Sequence, residues 1–156
     1  MIARAFGIAA LCAAIGCLIV AGTAAAQPAN SDAQIILSGI GFDPAVGPLG
    51  FWLWSQPATN NAYGPDGQGD MYFYGLGLNS PVEIRNISVT GWTVTEEVVS
   101  KKGLFDCWIS ATETQRQGNQ NGTFTYTSCT SSVVPGISAV NGFTMPAKVS
   151  FSNFTG

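Results

Sequence analysis

Histidine is absent from the 156 residues. Its absence removes the Ser-His-Asp triad, the Cys-His dyad and every His-ligated metal centre from the chemistry open to this chain. Charge is nearly as scarce: six Lys plus Arg and nine Asp plus Glu make up 10% of the residues, for a formal net charge of -3. No basic cluster is larger than Lys101-Lys102, so the footprint that a phosphate backbone demands is missing and nucleic acid is not an expected partner. The cysteines form no CxxC pair, no serine sits in a G-x-S-x-G turn, and helix formers are few after residue 26. What remains is a chain that is 46% hydrophobic, with 19 glycines and many Ser, Thr, Val and aromatic residues.

The first segment reads as an address. Arg4 supplies a positive start, the run from Ala5 to Gly22 carries no charge, and Ala24 and Ala26 stand at the -3 and -1 positions of a cleavage site before Gln27. The expectation is a bacterial-type signal peptide over residues 1–26, followed by one domain over residues 27–156 and a secreted, periplasmic or cell-surface location. Two rival readings are a retained anchor, since the run approaches the ~20 residues that cross a bilayer, and lipid attachment at Cys17 behind Ala14-Ile15-Gly16. Against lipidation, Leu18-Ile19-Val20 keeps the segment apolar beyond the cysteine. With cleavage, no membrane span is expected in the mature chain.

Export also decides how the cysteines are read. With cleavage Cys12 and Cys17 leave with the signal, so a Cys107–Cys129 disulfide is expected in a compartment where disulfides persist, against a two-cysteine redox or metal site that lacks both CxxC spacing and a histidine partner. Closing that loop removes about 3.4 kcal/mol of unfolded-chain freedom.

The mature chain is expected to be all-β. Val82-Glu83-Ile84-Arg85 alternates apolar with polar and then changes phase near Asn86, which suggests a bulge. Thr123-Phe124-Thr125-Tyr126-Thr127 puts aromatics on one face and hydroxyls on the other. Further strands are expected at Ala33 to Leu37, Gly50 to Ser55, Asp70 to Gly75, Trp92 to Val99, Leu104 to Ala111 and Ala147 to Phe154, with Gly- and Asn-rich turns between them. About eight short antiparallel strands in this length predict a β-sandwich of jelly-roll or immunoglobulin-like type, or failing that a small barrel. A transmembrane barrel, which wants strands of about ten residues, fits less well. Gly103 and the Gly118 to Gly122 run are expected to bracket a hairpin whose two strands carry Cys107 and Cys129. The last strand, through Val149 and Phe151, is expected to pair within its own sheet, although as a terminal edge it could also add to a neighbour's.

Two aromatic runs stand out, Phe51-Trp52-Leu53-Trp54 and Tyr72-Phe73-Tyr74. If Phe51, Leu53, Met71 and Phe73 face the core, alternation sends Trp52, Trp54, Tyr72 and Tyr74 to the opposite face. There they would form a platform on which sugar rings stack, or they would be packed under a loop or second sheet. The loop between the runs holds Asp66, Gln68 and Asp70, whose oxygens make a weak calcium candidate. It lacks the Gly and Glu of an EF-hand, and a plain turn is the simpler reading. No other cofactor is expected.

Carboxylate pairs such as Asp66 with Asp70, or either with Asp43, could serve a hydrolase, but no spacing along the chain shows the separation a glycosidase needs. Nine acids are also the means of keeping so apolar a chain in solution. The N-x-[ST] triplets at Asn86, Asn121 and Asn153 are what chance provides in so Asn-, Ser- and Thr-rich a sequence. No catalytic residues are assigned. The expected function is an exported, non-catalytic module binding a polysaccharide or other cell-surface ligand through Trp52, Trp54, Tyr72 and Tyr74. A self-assembling structural protein of the cell surface or matrix is the alternative, and a carboxylate-dependent hydrolase the third reading.

Overall fold

The computed structural model describes residues 29–57, 66–114 and 121–154. The expected signal peptide and Cys17 lie outside the described residues. Eight antiparallel strands follow one another along the chain: β1 (Ala29–Asp43), β2 (Gly47–Ser55), β3 (Gly67–Phe73), β4 (Leu78–Thr90), β5 (Thr93–Ser100), β6 (Asp106–Glu113), β7 (Asn121–Thr130) and β8 (Thr144–Phe154). Each of the eight segments expected from alternation overlaps one of these strands, although Asp70 to Gly75 runs on into the 3-10 turn Tyr74–Leu76 and Leu104 and Phe105 precede β6.

The layer architecture differs from expectation. Every strand pairs with its neighbours in sequence and β8 returns to β1, so the sheet closes into an up-and-down barrel and is not split into a jelly-roll or immunoglobulin-like sandwich. Alternation states only that one face of each strand is buried. A sandwich buries that face against a second sheet, and a barrel buries it against its own far wall.

Strand composition explains the interior. β5 alternates half-exposed and buried positions along its whole length, with Val94, Glu96, Val98 and Ser100 inward. Eight strands enclose a space that side chains alone can fill. Phe51 from β2 stacks on Phe124 from the far wall at a ring separation of 3.8 Å, and Tyr126 meets Phe51 edge-on at 6.4 Å. The inside is therefore apolar and packed, while the outer faces of β6 to β8 carry mainly Ser, Thr and Asn. A transmembrane barrel reverses this arrangement.

Glycines let the walls come close. Gly67 and Gly69 occupy inward positions on β3, where a Cβ would lie 2.8 Å from Ser55 Cα and 2.9 Å from Leu53 Cα respectively. On β1, inward Gly39 lets Phe51 and Met145 pack directly beneath the backbone, each 3.0 Å from where a Cβ would stand.

One end of the barrel is closed by a 3-10 segment, Pro135–Val140, which buries Ile137 and Val140. Near that end Cys107 and Cys129 are direct partners across β6 and β7 and form a disulfide inside the barrel, as the sequence implied. The bulge expected near Asn86 is present: the β4–β5 register shifts between Arg85 and Ser88, and Asn86 takes φ 51°. β8 pairs on both sides, with β1 and β7, so the terminal strand lies within its own sheet.

The seam between β1 and β8 is incomplete. It is hydrogen-bonded from Gln34 to Ser38 opposite Ser152 to Lys148, but from Gly39 onward β1 pairs only with β2 and β8 only with β7. Pro146 stands at this gap, and its imide nitrogen offers no donor to an added strand.

Candidate ligand-binding wall

The four aromatic residues singled out in the sequence lie on the outer wall of β2 and β3 and in the 3-10 turn Tyr74–Leu76 that follows, while Phe51, Leu53, Met71 and Phe73 are buried within. Their roles then diverge. Trp54 is half-buried, and its indole Nε1–H donates to Gln34 Oε1 at 3.2 Å, which pins the ring to β1. Tyr72 lies across Gly50, where a Cβ would collide with its ring, and Tyr74 stacks on it at 4.2 Å with 24° between planes. Trp52 and Tyr74 are the rings left open to solvent, at 48% and 57% exposure.

Strand register places other side chains beside them. Trp52 is flanked across the sheet by Asp70 on β3 and Ser38 on β1, and Trp54 by Gln68 and Ile36. Lower on the same wall Ile40 and Phe42 project from β1 at 81% and 65% exposure. With Pro48, Tyr72 and Tyr74 they border a shallow depression of about 410 Å³. The β1–β2 turn is held by Asp43, whose Oδ1 accepts from the backbone N–H of Ala45 at 2.8 Å and of Val46 at 3.2 Å. Asp43 is thus committed to a turn and is turned away from the wall.

Thus, among the described residues, a single face spanning β1 to β3 carries four of the six exposed large hydrophobic side chains, Ile40, Phe42, Trp52 and Tyr74, out of a set completed by Trp108 and Val133. No family model matches the chain, and no curated protein or solved structure matches it either. The site is therefore read from its own geometry.

The weak calcium candidate does not gather. Gln68 and Asp70 point outward from β3 in an extended run that begins just after Asp66. Alternate residues of a strand are about 6.6 Å apart, too far for three neighbours to converge on an ion with ligand distances of about 2.4 Å. Among the described residues no group of three or more acidic or Cys side chains is placed to hold a metal.

The acids divide between wall and interior. On the outside of β4 to β6, Arg85 Nη2 binds Glu83 Oε2 at 2.7 Å, and burial together with Glu97 raises the carboxyl of Asp106 above its ordinary range. Inside, Glu96 on β5 is completely enclosed. Its Oε1 accepts from Ser55 Oγ of β2 at 2.7 Å, and its Oε2 has no hydrogen-bond partner among the described residues. Burial pushes this carboxyl up to about 7, opposed by the Ser55 hydrogen bond. Glu113, also nearly buried, is raised by desolvation, opposed by a backbone bond at Phe151. A polymeric substrate cannot reach Glu96, and Asp66 and Asp70 do not face one another across a cleft.

Sequence reasoning missed Ser38, Ile40, Phe42 and Lys148 as members of this wall. A signal for two of them existed in Leu37-Ser38-Gly39-Ile40-Gly41-Phe42, where glycines occupy the inward phase and the apolar residues the outward one. Lys148 has no local signal, because only closure of the barrel brings β8 beside β1.

Proposed function

We propose that this protein is an exported binding module that does not catalyse, and that it holds a glycan against the outer wall of β1 to β3. The observation that carries the reading is the exposure of Trp52, bordered on its two sides by a carboxylate and a hydroxyl. A sugar ring lays its C–H face on an indole and turns its hydroxyls to flanking acceptors and donors, here Asp70 and Ser38. Tyr74, supported from beneath by Tyr72, offers a second ring, and Trp54 stiffens the platform. Monomeric proteins rarely leave so concentrated an apolar patch without use. Export rests on the residue 1–26 pattern, and an intramolecular disulfide is compatible with it.

Tryptophan emission of the purified protein, titrated with soluble polysaccharides, tests this. The expected result is a saturable change with at least one polysaccharide that is lost in Trp52→Ala while the far-ultraviolet spectrum stays the same. Indifference of wild-type emission and of a direct retention assay to every polysaccharide would overturn the reading.

A second reading, self-assembly, is favoured by one observation: Ile40 and Phe42 are exposed on the stretch of β1 that has no partner on its β8 side. An unpaired strand edge with outward apolar side chains is a template for another chain. Concentration-dependent sedimentation abolished by Ile40→Lys, with no response to sugars, would favour it over glycan binding.

A further inference from the structure

The charge on the outer wall is sharply partitioned. β2 and β7 contain no charged residue, β8 contains only Lys148, and the one charged side chain described on β1, Asp43, is folded into its turn. Of the described exposed or half-exposed acids, Asp70, Glu83, Glu97 and Asp106 lie on β3 to β6 and Asp66 lies just before β3. Lys148 is therefore the single charge on the described outward faces of four adjacent strands, and it enters no ion pair among the described residues.

Register places that charge in line with the exposed indole. Asp70, Trp52, Ser38, Lys148 and Asn121 are successive cross-strand partners from β3 through β2, β1 and β8 to β7. With about 4.8 Å between strands, Lys148 lies about 10 Å from Trp52 and about 14 Å from Asp70. The Asp70–Lys148 separation exceeds the ~8 Å screening length at physiological salt, so Asp70 does little to neutralise the ammonium. Lys148 also borders the gap in the seam, where Ser38, Gly39, Ile40, Ala147 and Lys148 surround a groove of about 450 Å³ with Phe51 at its floor. An aromatic platform, a concave seat beside it and one uncompensated cation at the rim thus occur in a row.

We infer that the glycan held by this wall is anionic, with a carboxylate or sulfate on a residue seated in the β1–β8 groove against Lys148, while a neighbouring sugar ring stacks on Trp52. This inference rests on the glycan reading and narrows it. The cation selects the ligand and fixes its direction, because the opposite flank of Trp52 ends in the carboxylate of Asp70 and repels the same substituent.

The experiment compares a soluble polyuronate, the same polymer with its carboxyls reduced to alcohols, and a sulfated polysaccharide, at low and at physiological salt. Wild-type protein is expected to bind an anionic polymer more tightly than the reduced one, the two anionic arms distinguishing carboxylate from sulfate as the natural substituent. Lys148→Met is expected to remove about fivefold of that preference, the range of an exposed charge pair, and Lys148→Arg to retain it. Equal binding of charged and neutral polymers, unaffected by Lys148→Met, would overturn this inference and leave the glycan reading standing. Anionic binding that survives in Trp52→Ala would mark simple ion exchange and would also overturn it. Binding of neither class would overturn the glycan reading itself.

Discussion

Glu96 offers the sharpest quantitative check on the barrel. Its carboxyl is fully enclosed, one oxygen accepts from Ser55, and the other has no partner, so the ionised form is disfavoured in the folded state and the group titrates at about 7 instead of 4.5. Below pH 4.5 the carboxyl is protonated in both folded and unfolded chains and contributes no pH dependence. Between about 4.5 and about 7 the unfolded chain releases its proton while the folded chain keeps it, so stability falls as pH rises. Above about 7 both are ionised and the loss is complete. At ~1.4 kcal/mol per pH unit the loss is about 3 kcal/mol, or a fall of roughly 10 °C in the melting temperature of a domain of this size. Asp106 and Glu113 are raised as well and add a slope of the same sign, so the diagnostic quantity is the difference from Glu96→Gln. That variant cannot ionise at this position, and whatever its amide costs in the interior is independent of pH. Urea denaturation at several pH values between 4 and 8.5 is expected to show wild type losing stability steadily relative to Glu96→Gln. Parallel curves for the two proteins would refute the reasoning and mean that Glu96 does not titrate in an enclosed apolar site.

Two further outcomes test packing. The Tyr126 hydroxyl is buried with no hydrogen-bond partner among the described residues, so Tyr126→Phe is expected to leave stability unchanged or raise it by about 1 kcal/mol, because an unsatisfied polar group is removed without changing the ring; a clear loss in chemical denaturation would show that the hydroxyl is bonded. At Gly69 a Cβ would press on the Trp52 carbonyl oxygen and on Leu53 Cα, so Gly69→Ala is expected to destabilise the barrel by about 1–3 kcal/mol, the range of overpacking, and a neutral melting temperature would contradict the close approach of β2 and β3.

The location of all eight strands was legible in the sequence because each is paired with its neighbours in sequence and buries one face, which leaves a period of two. Phe124 and Tyr126 against the intervening threonines are the plainest case. The boundaries were less so: β1 runs from Ala29 to Asp43, far beyond the expected Ala33 to Leu37, because Gly39 and Gly41 interrupt the apolar inward phase just where the wall needs no side chain. The same gap in the pattern hid the outward phase of Ile40 and Phe42. Trp52, Trp54, Tyr72 and Tyr74 were identified as sharing a face, but alternation treats them alike. In the structure Gly50 lets Tyr72 lie flat and Gln34 ties down Trp54, so that only Trp52 and Tyr74 remain well exposed.

The sequence by itself determined the all-β class, the strand succession, the bulge at Asn86 and the Cys107–Cys129 pairing, because each follows from local periodicity, a local break in it, or the shortage of partners for two cysteines. Tertiary structure alone decided whether the sheet closes and what lies beside what across the closure. Barrel and sandwich impose the same inside-outside alternation on each strand, and they differ only in whether the first strand meets the last. That meeting sets Lys148 two strands from Trp52, although 95 residues of chain lie between them. It also leaves the seam open beyond Ser38, a property of two strands diverging in space that no stretch of either one encodes.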